Sequence, residues 1–310
     1  MGNIALGVVS LVVGGIALWL GLGIATLVKR ALYPTRSHAR RTPASFGATF
    51  DAVRFAACED LTELSGWFIP THDERIYGAV ILCHGMSKNR EQMLPWAETF
   101  WKSGFHVLLF DFRALGESGG EQVSGGYLEA RDVIGAVHYL AQRQECVGLA
   151  LGVFGYSMGG VAAILAAAEE KRIRAIASHG AYTSFERAIT QRCRHHFGPF
   201  ALIAETIVRR VGAKRFPVPP TKVAPIQAVS RLAPRALLLL HGMCDPIVLV
   251  KDAQELYAQA GEPKMLCLLP NFDHRPVDPL RCKEVRSQVV TFFRDHLSEE
   301  AKNSVILLAL

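Results

Sequence analysis

Apolar and polar positions divide this chain into two regimes. Residues 4–28 contain no charged side chain, and an apolar run of that length can cross a hydrocarbon core of about 30 Å as a helix. After about residue 48 the pattern changes. Short apolar runs predict strands over residues 51–57, 63–69, 78–83, 105–110, 147–154, 173–178, 235–240 and 264–269, the first two forming an opening antiparallel pair. Between them, stretches with a period of 3.6 predict helices over 89–103, 127–142, 158–171, 250–260 and 283–296. Buried strands of this length alternating with amphipathic helices imply an α/β fold: a mostly parallel central sheet with helices on both faces, here preceded by one transmembrane helix.

The domain organisation follows from these runs. Residues 1–30 read as an N-terminal transmembrane anchor and 31–48 as a basic juxtamembrane linker. Residues 49–298 read as the α/β domain, in which about 181–225 interrupts the strand–helix alternation, and 299–310 as a C-terminal tail. A cleaved signal peptide is the rival for the first segment. It would carry a basic n-region, a shorter apolar core and a small-residue cleavage site, whereas Met1-Gly2-Asn3 has no basic side chain and the apolar run continues to Lys29-Arg30. Myristoylation is excluded, because Leu6 stands where Ser or Thr is required. Small residues at Gly7, Ser10, Gly14, Ala17 and Gly21 share one helix face, a pattern that permits self-association in lipid.

Charge and cysteine content refine the picture. Lys29, Arg30, Arg36, Arg40 and Arg41 follow the span with no acid before Asp51, which by the positive-inside rule puts the downstream domain in the cytoplasm. Half of the residues are hydrophobic and the mean hydropathy is +0.20, high for a chain without a membrane segment. Seven cysteines lack any C-x-x-C spacing, so neither a disulfide framework nor a zinc site is indicated.

The chemistry centres on Gly155-Tyr156-Ser157-Met158-Gly159, a G-x-S-x-G match. At average Gly and Ser usage of roughly 7% each, about one chain in ten of this length contains the pattern by chance, and Gly116-Glu117-Ser118-Gly119-Gly120 matches as well. Context separates the two. A nucleophile elbow needs a strand entering and a helix leaving, so that the serine is held on a strained turn above the sheet. Ser157 has both. Ser118 is followed by Gly119, Gly120, Ser124, Gly125 and Gly126, which form no helix.

A serine hydroxyl is a weak nucleophile until an imidazole takes its proton, and that imidazole needs a carboxylate to hold its tautomer. Asp245 follows the strand at 235–240 and His274 follows the strand at 264–269, so both emerge at the carboxyl edge of the sheet with Ser157. Open α/β sheets bind ligands at that edge. Asp273 competes as the carboxylate, and His195, His196 and His296 compete as the base. A tetrahedral intermediate also needs N–H donors for its oxyanion. These are expected from Met158, next to the nucleophile, and Met86, in the loop after residues 78–83. His84 is expected to brace that loop.

Taken in order, His84-Gly85, the run from Asp111 to Ser118, Gly155 to Gly160, His241 to Asp245 and His274 resemble the α/β-hydrolase superfamily. Within it, the likeness is to the serine aminopeptidase-like and alpha/beta hydrolase domain-containing branch. The resemblance covers about residues 50–298. Ala114 departs from the pattern, where relatives often carry Gly, and the triad is untouched. The resemblance implies hydrolysis with no metal or organic cofactor and a short helical cap over the site, inserted at about 181–225; it leaves the substrate open.

That cap segment holds eight basic side chains against Glu186 and Glu205, a surplus of six that equals the net charge of the whole chain. Phe197, Phe200, Leu202, Ile203, Ile207 and Val208 are interleaved with the bases. A basic amphipathic segment on a tethered protein reads as a surface for anionic headgroups, or else as a solvated cap whose apolar face covers the pocket. No recognition motif accompanies the charge, which argues against nucleic-acid binding. The expected partners are a membrane and a small-molecule or lipid acyl substrate. The leading expectation is a membrane-anchored serine hydrolase that cleaves a carboxylic ester or related acyl bond. A peptidase or acyltransferase of the same fold stays open, as does a non-catalytic binding protein.

Overall fold

The computed structural model describes residues 2–212 and 214–298; the tail expected at 299–310 lies outside the described residues. Eight strands form one sheet: β1 (Asp51–Ala56), β2 (Glu63–Ile69), β3 (Gly78–Cys83), β4 (Phe105–Phe110), β5 (Leu151–Tyr156), β6 (Ile173–His179), β7 (Ala236–Gly242) and β8 (Lys264–Leu269). Their order is β1-β2-β4-β3-β5-β6-β7-β8. β1–β2 and β2–β4 pair antiparallel and every later pair is parallel. This is the α/β-hydrolase fold, with the strand that carries the elbow near the middle of the sheet.

Helices cover both faces. α3 (Tyr127–Gln142), α4 (Met158–Glu169) and α8 (Val250–Gln259) pack on one side, α2 (Leu94–Trp101) and α9 (Lys283–Leu297) on the other. The central strands β3, β4, β5 and β7 are buried at every residue, as a sheet covered on both faces requires. β1 and β8 are the edge strands, and β8 is half exposed.

Some boundaries differ from the sequence expectation, for local reasons. The strand expected to begin at 147 begins at Leu151, because Gly148 has φ +78° and breaks the extended backbone. The helix expected from 89 begins as a 3-10 turn, Arg90–Met93, capped by the Asn89 side chain accepting from the Glu91 N–H. α2 proper starts at Leu94 with Pro95 in its first turn, where proline is tolerated because those N–H groups have no helical acceptor.

The N-terminal helix α1 (Gly2–Leu32) has two different halves. By length and composition it is apolar enough to cross a membrane over Val13–Leu32. Yet Leu20, Ile24, Val28 and Leu32, spaced four apart on one face, are buried in the same core cluster as α3 and α4. Before them, Val8, Leu11, Val13, Ile16 and Leu18 are exposed. The expected linker is docked too: Arg36 donates to the Ser118 and Gly120 carbonyls, and Arg41 pairs with Glu91 at 2.9 Å.

The segment between β6 and β7 forms the cap, with α5 (Phe185–Phe197), α6 (Ala201–Gly212) and α7 (Pro225–Ala228). Ser184 caps α5 by accepting from the Arg187 N–H. Phe197 and Val208 turn inward, while Leu202 (76% exposed) and Ile203 (53%) face out.

Candidate active site

Ser157 sits where β5 turns into α4, at φ +54° and ψ −116°. A non-glycine residue in this region stores of order 1–3 kcal/mol of strain, so the surroundings must enforce it. They do so by removing side chains. A Cβ on Gly155 would lie 2.1 Å from the Gly159 carbonyl oxygen, and one on Gly159 would lie 2.4 Å from that of Cys83. The Ser157 N–H donates to the His179 carbonyl at 2.7 Å, tying the turn to the end of β6.

The structure brings together the three side chains picked out from the sequence. Ser157 Oγ is 3.0 Å from His274 Nε2, and His274 Nδ1 is 2.5 Å from Asp245 Oδ2. With the Nδ1 hydrogen directed at the carboxylate, Nε2 is left as an acceptor for the serine hydroxyl. Asp245 Oδ1 accepts from the Ile247 and Val248 N–H groups at 2.8 and 2.9 Å, so both carboxylate oxygens are occupied and its orientation is set. Tyr156 donates to the His274 carbonyl oxygen, anchoring the loop that carries the imidazole. A hydroxyl, an imidazole and a carboxylate in this line can pass the serine proton to the ring as the oxygen attacks a carbonyl.

The competing residues do not join this line of contacts, although His196 borders the same cavity as Ser157. Asp273 bonds Arg275 at 2.8 Å, His195 and His196 occupy the exposed last turn of α5, and His296 packs on Phe292. Ser118 is buried in a loop, where its hydroxyl donates to the Asp111 carbonyl and accepts from the Ser65 N–H. His84 is fully buried and bridges Gly85 O and the Phe112 N–H through its two ring nitrogens. Burial holds it below the usual imidazole range. It braces the loop after β3.

Met86 and Met158 border the same cavity as Ser157. Met158 is the first residue of α4, so its N–H has no acceptor within the helix. The preceding Gly85 N–H is already used, donating to Gln92 Oε1 at 2.8 Å. Two groups escaped the sequence reading. Gln92 steadies the loop before Met86. His179 lies beneath the site, where burial, with His241 and His274 nearby, pushes its imidazole down to about 3. Both are legible only through topology, since each depends on a neighbouring strand end.

Ser157 lies at the junction of two cavities. One, of about 600 Å³, runs between α1, α5 and α6; the other, of about 780 Å³, lies against the linker, the loop after β3 and His274. They share Met86, Ser87, Ser157 and Arg192.

Comparison with known proteins agrees with this architecture. Residues 74–214 match the family model described as serine aminopeptidase, S33. The uncharacterized protein YfhR of Escherichia coli O157:H7 is 27% identical over 256 residues, which span 81% of this chain and 82% of that protein. The uncharacterized protein YqkD of Bacillus subtilis (strain 168) is 27% identical over 224 residues, 68% of this chain and 69% of its own length. The Pyrococcus furiosus esterase Pf2001 superposes with a TM-score of 0.70 at 26% identity, covering 86% of this chain and 100% of the esterase. With its sheet order, its matched segment and its likeness to an esterase along the whole domain, this chain has the α/β-hydrolase fold and is similar to hydrolases of that superfamily.

Proposed function

We propose that this protein is a membrane-anchored serine hydrolase that cleaves a carboxylic ester, or a related acyl bond, through an acyl-enzyme on Ser157. His274 is the general base and then the general acid, Asp245 orients it, and the Met86 and Met158 N–H groups receive the oxyanion. The observation that carries this reading is the line of contacts at 3.0 and 2.5 Å from Ser157 through His274 to Asp245. Supporting it are the strained serine backbone and the likeness to a solved esterase. The anchor is α1, and the basic residues that follow it favour a cytoplasmic domain.

A fluorophosphonate probe tests the reading. It labels the wild type and not Ser157→Ala, and the substitution lowers ester hydrolysis by at least about 10³-fold. Labelling that survives it would sink the proposal. The serine aminopeptidase description of residues 74–214 favours a peptidase as the second reading. Matched aminoacyl amides and acyl esters separate the two, since an esterase turns over only the second set at a useful rate.

A further inference from the structure

We propose that the substrate of Ser157 is a long-chain acyl ester of a phosphate-bearing alcohol drawn from the bilayer, its chain lying between α1 and the cap and its charged leaving group against Arg192. This rests on the serine-hydrolase reading and gives each side of the site its own ligand chemistry.

The 600 Å³ cavity is the acyl side. Its walls include Trp19, Leu22 and Leu27 from α1, and Ile189, Phe197 and Val208 from the cap. Its size falls within the roughly 300–1,000 Å³ of small-molecule sites, and apolar walls of this kind take an apolar ligand. The unusual feature is that α1 supplies a wall. Docking on the domain, through Leu20, Ile24, Val28 and Leu32, occupies residues 20–32 of the apolar stretch Val13–Leu32. The part of the helix left for lipid, Gly2–Trp19, comprises 18 residues, about 27 Å at 1.5 Å per residue, close to the thickness of a hydrocarbon core. Trp19 stands at the change between these halves and borders the cavity. Indole side chains favour the membrane–water interface, so the acyl chamber opens where the helix leaves the lipid. An acyl chain can then enter without crossing water.

The 780 Å³ cavity is the leaving-group side, and its charge is one-sided. Glu91 is taken up by Arg41 and by the Arg40 N–H, and the Arg275 guanidinium by Asp273. Among the described residues no carboxylate pairs with the side chains of Arg40, Lys88 or Arg192, all of which border this cavity. The contrast within the cap is direct: Arg187 bonds Glu255, and Arg209 pairs with Glu186 and Glu205. Arg192 is half-buried and borders both cavities. A partly desolvated guanidinium with no counter-charge is an incomplete ion pair, and phosphate oxygens match its fork of donors.

The chemistry balances without a co-reactant other than water. Ser157 Oγ attacks the ester carbonyl carbon while His274 Nε2 takes its proton. The carbonyl–oxygen bond to the leaving alcohol breaks, and His274 returns the proton to that oxygen. Water then attacks the acyl-serine, its proton passing through His274 to Ser157 Oγ, which releases a fatty acid.

The test uses the full chain in nanodiscs. Palmitoyl and octanoyl esters of glycerol and of glycerol 3-phosphate form a matrix of chain length against charge, and palmitoyl-coenzyme A is a soluble phosphate-bearing arm. The expected result is at least a tenfold higher kcat/KM for palmitoyl over octanoyl, and for glycerol 3-phosphate over glycerol. Leu27→Trp should collapse the chain-length ratio toward one, as should Thr26→Trp at an exposed position on the cavity wall, which guards against misfolding of the first variant. Arg192→Gln should collapse the charge ratio, while Leu18→Ala, outside both cavities, should change neither. Wild-type protein that takes up no fluorophosphonate at Ser157 defeats the hydrolase reading. Labelled protein with flat ratios, ratios unmoved by these substitutions, or a preference for palmitoyl-coenzyme A over the lipid ester overturns this proposal alone.

Discussion

The indole of Trp19 meets the ring of Phe197 edge to face with centroids 5.6 Å apart, joining the N-terminal helix to the cap. A Cβ on Gly23, one turn further along, would lie 2.8 Å from the same phenyl ring. The two elements therefore pack as one unit. Deleting residues 2–18 removes side chains that, where described, are mostly exposed, and the remaining protein should keep its Tm within a few degrees. Deleting residues 2–32 strips away Leu20, Ile24, Val28 and Leu32. Each buried aliphatic side chain lost from a core costs about 2–5 kcal/mol, so this form should unfold far earlier or aggregate. Thermal unfolding of both forms in the same detergent makes the comparison. Equal midpoints would mean that α1 contributes nothing to the domain.

Asp245→Asn should lower kcat by roughly 10⁴-fold with little loss of stability. The reason is the hydrogen-bond pattern. Oδ1 accepts from two backbone N–H groups, so the amide oxygen must occupy that position and the amide nitrogen must face His274 Nδ1. The ring then has to accept at Nδ1 and carry its hydrogen on Nε2, where it can no longer take the Ser157 proton. Steady-state kinetics with a short-chain ester, alongside a melting curve, checks both parts. A loss of less than tenfold would show that the carboxylate does not control the tautomer.

Gly159→Ala should be destabilising by about 1–3 kcal/mol. Its Cβ would meet the backbone oxygens of Cys83 and His84 at 2.4 and 2.6 Å, and backbone does not yield as a side-chain tip does. The displaced segment is the end of β3, which leads into the loop that carries Met86. Activity should therefore fall by more than the loss of folded protein accounts for. Active-site titration with a fluorophosphonate, followed by turnover per labelled site, separates the two effects.

The sheet and the meeting of Ser157, His274 and Asp245 at one edge of it were legible because chemistry and topology constrain them together. A reactive serine needs a strand before it and a helix after it, and Asp245 and His274 each follow a strand of the same sheet. Ala114 also becomes intelligible. It has φ +60°, the left-handed conformation that glycine adopts without cost, and the loop retains it through a 2.7 Å bond from its N–H to the Gly119 carbonyl. The docking of α1 was hidden for a physical reason. Leu20, Ile24, Val28 and Leu32 do recur every fourth residue, but in a helix that is apolar all round such a row has no contrast, whether lipid or protein lies against it. Arg192 was one cap base among eight until α5 was folded over the sheet. Its separation from Arg187 and Arg209 rests on which carboxylates lie within reach, and local sequence does not encode that.

Stability should fall on acidification, beginning near neutral pH. Burial holds His179 at about 3 and keeps His84 and His106 below the ordinary imidazole value of 6.5. In the unfolded chain each of them titrates near that ordinary value. Between the folded and unfolded values the unfolded state binds more protons, so stability is complete above about pH 6.5 and is lost progressively below it. Asp60, Glu91 and Glu117 are held below their usual range by arginine partners or backbone N–H groups, and their contribution falls in the same direction at lower pH. For His179 alone, moving from pH 7.5 to pH 5 forfeits about 2 kcal/mol. Urea unfolding of the wild type and of His179→Asn at both pH values measures this. The substitution should lower stability at pH 7.5 yet flatten the pH dependence by about that amount. Parallel curves for the two proteins would mean that residue 179 is not the buried neutral imidazole responsible.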